Sequence, residues 1–70
     1  MKDGWIVEVL VPASDGPYER HFLVAIADEL AARLAVQNAV PDAETVIGAR
    51  KASADKLARH DMGEAIIFEL

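Results

Sequence analysis

The sequence predicts one small α+β domain, a two-layer sandwich whose elements follow the order β-β-α-β-α-β. Two apolar runs rich in β-branched residues flank a segment of turn-forming residues, and an alanine-rich segment follows a helix-capping residue. A chain of 70 residues has room for a single core, since domains usually contain roughly 50 to 200 residues. We therefore expect residues 1–70 to form one domain.

The first strand is the clearest element. Trp5 to Val11 reads WIVEVLV, and Pro12 ends it because proline has no backbone N–H for a sheet ladder. Residues 13–19 (ASDGPYE) then combine Ser, Asp, Gly and Pro, which favour a reversal of the chain. A turn between two strands is predicted there.

Two interpretations of the next segment compete. In the first, a strand runs over residues 20–27 and Asp28 caps a helix from Glu29 to about Val40. In the alternative, one long helix covers residues 17–38 and the order becomes β-α-β-α-β. The first is favoured because the segment before Asp28 is rich in residues that prefer strands, and helical composition begins after it.

Three further elements complete the chain. A weaker strand is predicted over residues 43–51, where Gly48 marks a bulge or a weak point. Ser53 is suited to cap a short second helix, and Gly63 to end it. Residues 64–70 (EAIIFEL) form the predicted last strand.

Strand side chains alternate between the two faces of a sheet, so each apolar run divides into two sets. The set expected to face the first helix is Val7, Val9, Val11, Phe22, Val24, Ile26, Ile66, Phe68 and Leu70. The helix residues expected to pack against it are Leu30, Ala31, Leu34 and Ala35.

The opposite face of the sheet is about half apolar, whereas a solvated face should be mostly polar. A short second helix offers little apolar surface, so we expect a second copy of the chain to cover this face. The sequence therefore predicts a homodimer. Its contact residues are predicted to be Ile6, Leu10, Leu23 and Ile67.

A polar cluster is also expected on that face. Glu8, His21 and Glu69 fall there by strand alternation, and carboxylates with a histidine are a composition used for metal binding or proton transfer. No metal-ligand spacing accompanies them. We therefore predict neither a metal site nor catalytic residues, and read the cluster as solvated side chains.

An anion site is the best small-ligand hypothesis. Arg50, Lys51, Ser53 and Lys56 flank the start of the second helix, where unpaired backbone N–H groups and the helix dipole attract anions. The segment has no glycine-rich loop that would let a phosphate approach the backbone closely. A solvated helix start is the favoured interpretation.

Charge and composition exclude several classes of protein. A formal net charge of −5 disfavours nucleic-acid binding, which needs a broad basic surface. No apolar run approaches the roughly 20 residues of a membrane span, and no cysteine is present for disulfides or thiolate metal sites. We expect a cytoplasmic protein with no cofactor, no nucleic-acid partner and no membrane association.

The function predicted from these observations is a non-catalytic cytoplasmic module that self-associates or binds another protein through its half-apolar sheet face. The alternative is a protein that binds a small molecule or anion, either at the dimer seam or at the start of the second helix. Nothing in the sequence identifies a reaction, so no enzymatic activity is predicted.

Overall fold

The computed structural model describes residues 3–59 and 66–70. Six elements follow one another there: β1 Gly4–Val11, β2 Tyr18–Val24, α1 Glu29–Ala39, β3 Thr45–Ala52, α2 Ala54–Arg59 and β4 Ile67–Glu69. The predicted small α+β fold and its element order are confirmed. The alternative long helix over residues 17–38 is wrong, because Tyr18–Val24 pairs with β1 as a strand.

The four strands form one antiparallel sheet in the order β3-β1-β2-β4. β1 and β2 are joined as a hairpin whose connection contains Gly16 at φ 116, a left-handed conformation that glycine adopts without steric cost. β3 pairs with the other side of β1, and its register shifts between Glu8 and Val9. The predicted irregularity near Gly48 is therefore present as a β-bulge.

The caps of both helices agree with the sequence. Asp28 accepts the backbone N–H of Ala31 at 2.8 Å and so begins α1. Ser53 accepts the backbone N–H of Lys56 at 3.2 Å at the start of α2. Gly63, the predicted end of the second helix, lies outside the described residues.

α1 covers one side of the sheet, called here the α1 face. Its core consists of Val7, Val9, Val11, Phe22, Val24, Ala32, Val36 and Val40, all buried. The predicted helix stripe is wrong, since Leu30 and Leu34 are 65% and 54% exposed. The helix instead turns Ala32 and Val36, four positions apart, toward the valines and Phe22 of the strands. Four positions is close to one helical turn, so these two share one face of α1.

The other side of the sheet, the α2 face, is partly covered by the second helix. Ile6 and Leu23 are 2% and 0% exposed and cluster with Ala52, with Leu57 of α2 packed against them. We expected a second copy of the chain, rather than this helix, to cover these two residues. Both residues are thus buried within a single chain, and Leu57 of α2 contributes to that burial.

The side chains of the last strand lie on the faces opposite to those predicted for them. Val24 is opposite Ile67 and Leu23 is opposite Phe68, so Ile67 lies on the α1 face and packs against its core. Phe68 shares the α2 face with Leu23, contrary to the prediction. A shift of one position moves every side chain of a strand to the other face. This short strand has an apolar side chain for either face, Ile67 or Phe68, so its composition does not decide between the two arrangements.

None of the helices in the described part of the chain is long and apolar enough to cross a membrane.

Candidate functional site

An apolar patch remains on the α2 face beyond the region that α2 covers. We call it the open patch, formed by Leu10 of β1, Phe68 of β4 and Leu70, which directly follows β4. These side chains are 38% to 46% exposed. Leu70 is held beside β2 by its backbone N–H, which donates to the carbonyl of His21 at 2.8 Å. Three large apolar side chains are thus exposed on one face of the sheet.

Polar residues lie within and around the open patch. Because β2 separates β1 from β4, Glu19 and His21 lie on the α2 face between Leu10 and the other two members of the patch. Glu8 is directly opposite His21 across the β1–β2 pair, as strand alternation predicted. Arg50 donates to Glu8 at 3.1 Å from the neighbouring strand β3. The border of the open patch therefore carries both signs of charge.

Glu69, the third member of the predicted polar cluster, is elsewhere. It is opposite Phe22 and therefore on the α1 face, separated from Glu8 and His21 by the sheet. The structure thus brings together two of the three residues. Within residues 3–59 and 66–70, no group of three or more His, Asp or Glu side chains is arranged to hold a metal ion.

Glu69 belongs instead to a charged network centred on Arg20. The guanidinium donates to both carboxylate oxygens of Glu69, at 2.8 Å and 2.6 Å, and to Glu44 at 2.8 Å. It also lies 5.0 Å from the centre of the Phe22 ring, within range of a cation–π interaction. Arg20 thereby ties β4 and the segment before β3 to β2.

This network shifts the pKa values of Glu69 and Arg20. The hydrogen bonds from Arg20 lower the pKa of Glu69 below its ordinary value, and those to Glu69 and then Glu44 raise the pKa of Arg20. Sequence reasoning missed the network because Arg20 is 49 residues from Glu69 and 24 from Glu44. The spacing of the residues gives no local signal for it.

At the predicted anion site, side chains of the protein itself already contact the start of α2. Asp3 accepts the backbone N–H of Ala54 at 3.1 Å, and its other oxygen lies 3.9 Å from Lys51 Nζ. The hydroxyl oxygen of Ser53 accepts the backbone N–H of Lys56. Two of the backbone donors that would hold an anion, those of Ala54 and Lys56, are therefore already partnered within the chain, and this geometry does not favour an external ligand.

The predicted basic residues do not converge on one point. Arg50 is directed toward Glu8 and Lys51 toward Asp3, on opposite faces of the sheet as successive residues of β3. Lys56 is exposed on α2. The sequence placed these cations near one another, and their different directions follow only from the strand geometry.

A glutamine side chain closes the beginning of the outer edge of β3. The Gln37 amide donates to the carbonyl of Glu44 at 2.9 Å and accepts the N–H of Val46 at 3.0 Å. α1 thus supplies the contacts that a neighbouring strand would make at this point.

Comparison of the chain with protein-family models, with curated proteins and with solved structures finds no significant match.

Proposed function

We propose that this chain is a non-catalytic interaction module of the cytoplasm that self-associates through the open patch. The observation that carries the proposal is the exposure of Leu10, Phe68 and Leu70 on one face, after both helices have packed on the sheet. Burying the exposed part of each is worth about 1 to 2 kcal/mol. That gain is available only if a partner covers the patch.

A second copy of the chain is the partner that the surroundings of the patch favour. A two-fold contact pairs a surface with itself, so the surface must be self-complementary. The border of the open patch includes the carboxylate of Glu8, the guanidinium of Arg50 and the carboxylate of Glu19 on the same face. Rotation about a two-fold axis can set these opposite charges against each other.

The expected dimer is weak. Three partly exposed side chains cover much less than the roughly 800 Å² per partner of a stable interface, so polar residues of the border must supply the rest. We expect dissociation in the micromolar range, with exchange between monomer and dimer.

Sedimentation velocity over a series of protein concentrations tests the proposal. The mass of the wild-type chain should rise from one protomer to two as concentration increases. Phe68→Glu and Leu70→Glu should each keep the chain monomeric, because they place a carboxylate in the centre of the contact.

Leu30→Glu provides the matched control. Leu30 is also an exposed leucine, but it lies on the outer side of α1, away from the open patch. This variant should dimerise like the wild type. A single-chain mass for the wild type at every concentration would contradict the proposal, and so would loss of the dimer in Leu30→Glu alone.

A further inference from the structure

The outer edge of β3 carries backbone groups that no described residue pairs with. In an antiparallel sheet, successive residues direct their N–H and C=O groups alternately to the two sides of the strand. Ala25 and His21 bond toward β4, so Phe22 and Val24 bond toward β1. Their partners in β1 are Val7 and Trp5.

The same alternation continues from β1 into β3. Because Val7 and Trp5 bond to β2, the residues opposite them in β3, Ala49 and Lys51, receive no bonds from β1. Their N–H and C=O groups point outward from the sheet. Among residues 3–59 and 66–70, they have no hydrogen-bond partner.

This open edge has a defined beginning. The Gln37 side chain occupies the edge groups of Glu44 and Val46, and the bulge before Gly48 interrupts the ladder. The part of β3 that can accept another strand is therefore 48–52.

The charges on this segment indicate what would bind. Arg50 and Lys51 are exposed and project to opposite faces, and Lys56 follows on α2. Their present partners, Glu8 and Asp3, form exposed ion pairs, which contribute little and can exchange. A strand with carboxylates beside Arg50 and Lys51 would complement both cations.

A second copy of β3 would fit this edge less well. Pairing the two edges around the open segment brings the cations of one copy toward those of the other, and like charges on adjacent strands are destabilising. Cationic edge residues are a known means of preventing such self-pairing. An acidic segment therefore fits this edge better than a second copy of β3 does.

We propose that the open edge of β3, over 48–52, binds an extended acidic peptide segment as a fifth strand of the sheet. Backbone hydrogen bonds to Ala49 and Lys51 would hold the segment, in the manner of β-strand addition. Two consecutive acidic residues would meet Arg50 on one face and Lys51 on the other. The backbone groups of this edge lie outside the open patch, although Arg50 also belongs to the border of that patch. Binding at Ala49 and Lys51 is therefore what distinguishes this proposal from self-association.

The test uses the full chain and a capped peptide of sequence Thr-Val-Glu-Glu-Val-Thr, titrated and followed by two-dimensional NMR of the backbone amides. We expect chemical-shift changes centred on Ala49 and Lys51 and slower hydrogen exchange of their amides. Two control peptides should fail to bind. One has lysines in place of the glutamates, and the other is N-methylated at the backbone positions that would donate hydrogen bonds to β3.

Charge reversal supplies a matched set of variants. Arg50→Glu and Lys51→Glu should each weaken binding about tenfold or more, while Arg33→Glu on α1 makes the same charge change away from the edge and should leave binding unaltered. Far-UV circular dichroism of each variant establishes that it is folded. Absence of shifts with the acidic peptide, equal binding of either control peptide, or equal weakening by Arg33→Glu would overturn the proposal.

Discussion

The side-chain oxygen of Gln37 accepts the backbone N–H of Val46 at 3.0 Å. The nitrogen of the same amide donates to the carbonyl of Glu44 at 2.9 Å. A single side chain on α1 thus satisfies the acceptor and the donor that an adjacent strand would pair. The contact explains how β3 begins at an otherwise open edge and how α1 is oriented on the sheet.

Removing this amide should destabilise the fold. Gln37→Ala leaves the N–H of Val46 without its partner in a half-buried position, which typically costs about 1 to 2 kcal/mol. Urea denaturation of the wild type and the variant measures the difference in their free energies of unfolding. Asn38→Ala changes the exposed neighbour on the same helix and should have a much smaller effect. Equal decreases in the free energy of unfolding in the two variants would show that the Gln37 contacts do not stabilise the fold.

Arg20 should determine how firmly β4 is attached. β4 has three residue pairs with β2, and the two hydrogen bonds from Arg20 to Glu69 reinforce them. Arg20→Ala should speed hydrogen exchange at the amide of Leu70, which bonds to β2. The amide of Ala31 in α1 should exchange as in the wild type.

Arg20→Lys separates charge from geometry. A lysine keeps the positive charge but cannot donate two parallel hydrogen bonds to one carboxylate. We expect exchange at Leu70 to lie between that of the wild type and Arg20→Ala. Exchange identical to the wild type would mean that charge alone holds β4.

Acidification should weaken the same attachment. Because the pKa of Glu69 is lowered in the folded chain from its ordinary value of 4.5, its contribution to stability is fully present above that value and is lost as the pH falls through the lower, folded pKa. The free energy of unfolding, measured by urea denaturation from about pH 6 to pH 3, should fall less steeply in Glu69→Gln than in the wild type. In an Arg20→Ala background, Glu69→Gln should leave the pH dependence unchanged, since the interaction is already absent.

Gly4 lies in close contact with the backbone of β2 at Val24. A Cβ atom on Gly4 would overlap the carbonyl oxygen of Val24 and lie 3.2 Å from Leu57. Gly4→Ala should therefore lower the unfolding temperature, with a cost of about 1 to 3 kcal/mol, as for other overpacked sites. Gly48→Ala is the control, because its Cβ would be 3.4 Å from the Glu8 side chain, an ordinary contact. A larger decrease in unfolding temperature for Gly48→Ala than for Gly4→Ala would contradict the close contact at Gly4.

Local chemistry made part of the fold predictable. Asp28 and Ser53 begin the two helices through their own side-chain oxygens, an interaction that depends on residues three positions away. Glu8 and His21 were placed on one face because alternation within strands is strictly local. The candidate site was less predictable, since Phe68 and Leu70 were assigned to the wrong face and Gln37 was not recognised at all.

The amino-acid sequence by itself determined the order of strands and helices, because turn residues, caps and β-branched runs act over a few positions. Only the tertiary structure decided which apolar side chains are covered. Ala32 rather than Leu34 packs against the sheet, because the space there is set by strands remote in sequence. The face on which Phe68 lies follows from its pairing with Leu23, and a pairing between residues 45 positions apart leaves no periodic trace in either segment.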